Sequence, residues 1–127
     1  MTTLTTMDRW HRFVVSRDSA ELDTLLSDDV VFHSPVVHTP QVGKAVTGMY
    51  LRAAMLVLGN DGFRYLNEWR GDRSAVLEFE TTIDGILVNG VDMIDWNDDG
   101  LITRFKVMVR PLKAINLLHQ LMAQRLR

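Results

Sequence analysis

The chain has no cysteine, which excludes disulfide staples and thiolate metal sites, so the fold must stand on packing alone. It has little net charge. A formal −2 and a pI near 6.0 give no long-range field to draw in phosphate backbones, and nucleic acid is not an expected partner. No apolar run approaches the ~18 residues a membrane span needs, and the opening MTTLTTMDRW has neither the basic region nor the apolar core of a leader peptide. The expectation is a cytoplasmic protein without a membrane partner. Proline is scarce, three in 127 residues, and two of the three, at 35 and 40, punctuate one short segment. A chain of 127 residues is expected to form one domain, since separate cores rarely fit below about 150 residues.

What is present is a run of long antiparallel strands between Arg73 and Arg110. RSAVLEFETTI and ILVNGVDMIDW flank an Asp84-Gly85 turn, and LITRFKVMVR follows a second turn at NDDG; the dyad alternation with Asp-Gly between is a hairpin signature. Asn89-Gly90 is read as a bulge rather than a turn, because a turn there would leave only Ile86 to Val88 as a strand. Such a bulge would bend the sheet around an apolar pocket.

Upstream, residues 5–17 have helical spacing, with Met7, Trp10, Phe13 and Val14 along one face. Asp18 and Glu21 have the spacing of a capping box for a short helix, SAELDTLL, which Ser27-Asp28-Asp29 would end. VVFHS is a short strand stopped by Pro35, and PVVHTPQVG reads as irregular rim, since each residue before a proline avoids the α region. Residues 43–58 form a third helix despite Gly48, and FRYLNEWR a strand. After Pro111, Leu112, Ile115, Leu118, Met122 and Leu126, widened by Leu117 and Leu121, make a terminal helix with more apolar surface than a sheet edge covers, which points to a homodimer contact. The class is α+β.

RDSAELDTLLSDDVVFHSP (17–35), the helix at 43–58 and GVDMIDWNDDGLITRFKVMVRP (90–111) give the chain its likeness to a known group: it resembles the nuclear transport factor 2-like superfamily, in its SnoaL-like branch. That resemblance implies a cone, a curved sheet closed by helices around a pocket, and a homodimer through the sheet's other face. Members include isomerases, cyclases, dehydratases, epoxide hydrolases and proteins without activity, so the scaffold alone leaves the reaction open. Ketosteroid isomerases carry their base before the proline that ends the first strand, where this chain has Ser34, and a tyrosine on the first helix near Phe13; both are absent here. Their second carboxylic acid matches Asp92, and SnoaL-type cyclases use an aspartate on the same strand. The Asp-Arg-Asp set of limonene epoxide hydrolases cannot be assembled.

Asp92 is therefore the expected catalytic acid/base. A carboxylate among Ile94, Trp96, Phe105 and Val107 would be desolvated and exchange protons near neutrality; outward-facing, it would instead pair with Arg104 or Lys106. Ser34, His38 and Tyr50 are expected as hydrogen bonders to a small hydrophobic ligand, with Trp10, Phe13 and Met49 as wall. His33, alternating with Phe32 and Ser34, points away from them, and His119 reads as a surface or interface residue. Two histidines without a third spaced ligand make no metal site, and neither metal nor cofactor is expected. Glu78 and Glu80, with Arg104, Lys106 and Arg110, read as a cross-strand charge ladder. The alternative is a ligand-binding or dimeric module with no chemistry.

Overall fold

In the computed structural model, which describes residues 4–126, helices α1 (Thr6–Ser16), α2 (Ser19–Leu25) and α3 (Lys44–Leu58) precede most of the sheet, and α4 (Leu112–Arg125) ends the chain. The first three residues of the stretch read for a leader, and the last residue of the expected domain, lie outside the described region. Six strands, β1 (Leu26–His33), β2 (Gln41–Val42), β3 (Arg64–Arg70), β4 (Ser74–Ile83), β5 (Ile86–Trp96) and β6 (Ile102–Arg110), lie in the order β2-β1-β6-β5-β4-β3. All neighbours are antiparallel except β1 with β6. This is the α+β cone, with an open, curved mixed sheet. Among the described residues, no helix is long and apolar enough to cross a membrane.

The amphipathic face of α1 packs Met7, Trp10 and Phe13 into the core. The capping box belongs to this helix, where the Thr5 side chain accepts from the Asp8 backbone N–H and Asp8 accepts from that of Thr5, both at 3.1 Å. At α2, Asp18 caps Ala20 as a single bond. Glu21 does not reach back to it as expected, because Arg12 and Ser16 of the preceding helix hold its carboxylate.

Helix α2 ends just ahead of Ser27-Asp28-Asp29, and no loop separates it from the next strand. Extension begins at Leu26, and the three polar residues are part of β1; their exposure alternates poorly because the β1–β6 register shifts between Leu26 and Val31. The rim segment contains the two-residue edge strand β2, paired through Val31 and Val42. Asp84 and Gly85 both have positive φ, 51° and 78°, as a two-residue hairpin turn requires.

The expected bulge at Asn89-Gly90 is absent. Gly90 pairs in unbroken register with Phe79 on one side and Val109 on the other. The irregularities that bend the sheet lie elsewhere, between Tyr65 and Asn67 on β3 and between Asp95 and Trp96, where β6 carries the extra residue Thr103. Hence Ile102 and Phe105, three apart, are both buried. Glu78 and Glu80 do not reach Arg104 or Lys106, because β5 intervenes between β4 and β6; Glu80 pairs with Arg64 at 3.1 Å and Glu78 accepts from Asn67 and Asn89. On α4, Ala114 and Leu118 face the core, whereas Leu112 is 72% exposed and belongs to the opposite face.

Candidate functional site

Along β5 the buried positions are Val88, Gly90, Asp92 and Ile94. Unbroken alternation, with no bulge to reset it, thus turns Asp92 inward opposite Leu77 and Val107. The residue is 6% exposed, and among the described residues no cation pairs with it. Its one hydrogen bond comes from Tyr65, whose hydroxyl donates to Oδ2 at 2.7 Å; Oδ1 makes none among the described residues. Trp10 Nε1 donates in turn to the Tyr65 oxygen at 3.1 Å. An indole N–H can only donate, so it fixes the direction of this chain and commits the tyrosine's single hydrogen to the carboxyl.

Burial sets the acidity. Desolvation, partly opposed by the Tyr65 hydrogen bond, raises Asp92 from an ordinary 3.8 to about 7. Tyr65 is itself pushed well above the usual phenol range by burial, then by the charge and hydrogen bond of Asp92, so it remains a donor. Tyr65→Phe should therefore move the Asp92 midpoint further up, by about one pH unit for one lost bond to a charged group. Carboxyl titration by NMR would show it; an unchanged midpoint would remove Tyr65 from this role.

A second polar cluster lies behind Tyr65. His11 Nε2 meets Glu68 Oε1 at 2.6 Å, Arg70 holds the other Glu68 oxygen, and the His11 ring lies edge-on to Tyr65 at 5.4 Å. Burial pulls the Glu68 carboxyl upward, but the bonds from Arg70 and His11 outweigh it and leave the group below its usual range. Glu68 stays a charged anchor while Asp92, with no cation beside it among the described residues, does not.

In front of Asp92 is a cavity of about 230 Å³. Its lining runs from buried Trp10, Asp92 and Phe105 to exposed Val37, His119 and Ala123, so it opens between the 34–37 loop and α4. Among the described residues, no lysine or arginine lines it. Ser34 Oγ accepts the backbone N–H groups of Val36 and Val37 at 3.1 and 3.3 Å, which leaves its hydroxyl hydrogen to donate. Among the described residues, no three His, Asp or Glu side chains gather to hold a metal ion.

Of the ten residues expected around the ligand, Trp10, Ser34, Tyr50, Phe105 and Val107 line the cavity beside Asp92. The other five do not. Phe13 and Ile94 are 1% exposed but packed inside the core, and Met49 lies on the outer side of α3, 43% exposed. His38 stands exposed on the loop before β2, and Trp96 lines a separate groove with Arg70 and Arg73, because the irregularity beside it displaces it from the cavity wall. His33 lies opposite Lys106, where burial and then the nearby cations hold its pKa down. Tyr65 was not foreseen. Its signal was the pairing of β3 with β4, which sets Tyr65 against Phe79, a residue whose inward side follows from outward Glu78 and Glu80.

No protein-family model and no curated protein matches the chain. Solved structures do. A steroid delta-isomerase from Pseudomonas aeruginosa is 38% identical over 95% of this chain and 88% of its own, with a TM-score of 0.90. An uncharacterized protein with a cystatin-like fold from Silicibacter pomeroyi is 29% identical over 94% of this chain and 84% of its own, at 0.87. The epoxide hydrolase/cyclase-like enzyme SalBIII shares the fold at 16% identity and 0.65, over 83% of this chain and 88% of its own. Sheet order, inward aspartate and the 38% identity along nearly the whole length lead to one assignment: the chain belongs to the nuclear transport factor 2-like superfamily, in its SnoaL-like branch.

Proposed function

We propose that this protein is a cofactor-independent acid/base enzyme acting beside a carbonyl of a small hydrophobic molecule, in the manner of an isomerase, cyclase or dehydratase. The observation that carries the reading is a carboxyl, single and without a cation among the described residues, at the inner end of an apolar cavity and titrating near neutrality. Ionised Asp92 removes a proton from the carbon next to the carbonyl; the acid so formed returns it to another carbon or to a departing oxygen. Charge developing on the carbonyl oxygen needs a donor, and the Ser34 and Tyr50 hydroxyls on the cavity wall, with His119 at the mouth, can supply one. Tyr65 holds the carboxyl in place without joining the transfer. The isomerase activity named for the Pseudomonas aeruginosa relative is of the same class. We place the protein in the cytoplasm as a homodimer, with Trp69, Met93 and Met108, exposed on the outer sheet face, as the contact.

The test needs no knowledge of the natural substrate. In D2O, 1-indanone and androst-4-ene-3,17-dione exchange the hydrogens next to their carbonyls, and NMR follows the rate. The protein should accelerate exchange of at least one, with a rate that rises with pH to a midpoint near 7 as Asp92 ionises. Asp92→Asn should lose at least ~10²-fold, the usual worth of a positioned general base. Equal rates for the two proteins would end the acid/base reading.

A further inference from the structure

We infer that the ligand is a neutral mono- or bicyclic ketone or lactone with about nine to ten heavy atoms in the cavity, rather than a tetracyclic or anionic molecule. This specifies the ligand of the site just described and rests on that cavity being a binding site, though not on Asp92 performing chemistry.

Size comes first. A dry apolar cavity of about 150 Å³ accommodates benzene, six heavy atoms, so about 230 Å³ at similar packing accommodates about nine. A steroid, with roughly twenty heavy atoms, would need about twice that space. The walls do not yield readily: Trp10 and Phe105 are each 1% exposed and packed at 4.9 Å, and Phe79 lies on Phe63 at 5.5 Å. Likeness in backbone to a steroid delta-isomerase therefore does not by itself make this cavity a steroid site.

Charge comes second. Among the described residues no lysine or arginine is in the lining and its histidine, His119, is exposed at the mouth, so an anionic ligand would lose its hydration beside Asp92 and gain no countercharge there. Polarity comes third. Oδ1 of Asp92 makes no hydrogen bond among the described residues, and a pure hydrocarbon would leave it so; in its neutral form the acid donates to a ligand's carbonyl oxygen, whereas the ionised form in the reaction above meets the adjacent C–H. The aromatic faces of Trp10, Phe32, Phe79 and Phe105 suit a flat ring system around that one polar atom.

Four probes on the full chain decide it, by calorimetry at pH 6, where Asp92 is mostly protonated. 1-Indanone should bind at least tenfold tighter than indane, indane-1-carboxylate and androst-4-ene-3,17-dione. Its advantage over indane should shrink to about twofold in Asp92→Leu, and Ala54→Phe, which fills the cavity from α3, should abolish binding. Steroid or carboxylate binding as tight as the ketone's, indane equal to the ketone, or no binding by any probe would each overturn the inference. The two readings fail separately. If 1-indanone binds without accelerated exchange, the ligand class stands and the acid/base role falls; if the steroid binds best and exchanges, the reverse holds.

Discussion

Above pH 7, Asp92→Asn is expected to be the more stable protein, by an amount on the order of 4 kcal/mol, although it should be the poorer catalyst. The carboxyl's pKa is 3.8 ordinarily and about 7 when folded, raised by desolvation against the pull of Tyr65. Below about pH 4 both folded and unfolded chains hold the proton, and burial of Asp92 costs nothing through ionisation. Between about 4 and about 7 the folded chain keeps a proton that the unfolded chain has released, so the folded state binds more protons and stability falls as pH rises. Above about 7 the loss is complete. At 1.36 kcal/mol per pH unit, the gap of about three units gives the stated magnitude.

Asparagine has nearly the same shape and can accept the Tyr65 hydrogen bond, but it carries no charge at any pH. Urea unfolding of both proteins from pH 4 to pH 8 should therefore show a difference that grows with pH and levels off above 7. A difference that stays flat across that range would mean that the folded carboxyl titrates normally, and the acid/base reading would lose its basis. Carboxylates held below their usual range, Glu21 by Arg12 and Glu78 by Asn67 and Asn89, pull the parent's own profile the other way at acid pH. They are common to both proteins and cancel in the comparison.

A buried group that weakens the fold throughout the neutral range is what a reactive site, rather than a structural ion pair, looks like energetically. The contrast within one sheet is informative. Glu68, two strands away on β3, receives Arg70 and His11; among the described residues Asp92 receives only a phenol that does not ionise. The first arrangement stabilises a charge, and the second keeps a proton available at neutral pH.

How much of this was legible beforehand follows from what each signal measures. The long strands, their Asp84-Gly85 hairpin and the helices around Trp10 and Leu118 were readable because period and turn chemistry are local. Asp92 was singled out partly from the family likeness, and its inward direction was linked to a bend at Gly90. The direction is as expected, but its cause is simple alternation along an unbroken strand. Tyr65 escaped notice because its partner is 27 residues away, and its side depends on an irregularity at position 66 that no local pattern announces. Met49 and His38 were misplaced for the opposite reason: spacing and proximity to prolines put them near the site, while helix rotation and loop path turn them outward.

Gly90 has a different reason for being glycine, and Gly90→Ala should expose it at a cost of about 3 kcal/mol. A Cβ at this position would lie 2.5 Å from the Met108 carbonyl oxygen and 2.6 Å from Cζ of Phe79. The first neighbour is backbone of β6, held in the ladder through Gly90 and Val109. The second is a buried ring stacked on Phe63 and part of the cavity wall. Neither gives way cheaply, and displacing the ring disturbs the cavity wall it belongs to. Gly90→Ala should thus lower the urea midpoint and also weaken 1-indanone binding several-fold. In the double variant with Phe79→Leu, the ring clash is gone but the carbonyl clash remains, so the cost of adding the alanine should drop without vanishing. Were Gly90→Ala as stable as the parent, the close approach of β5 to its neighbours would not be as drawn, and the inward direction of Asp92, two residues along the same strand, would lose its support.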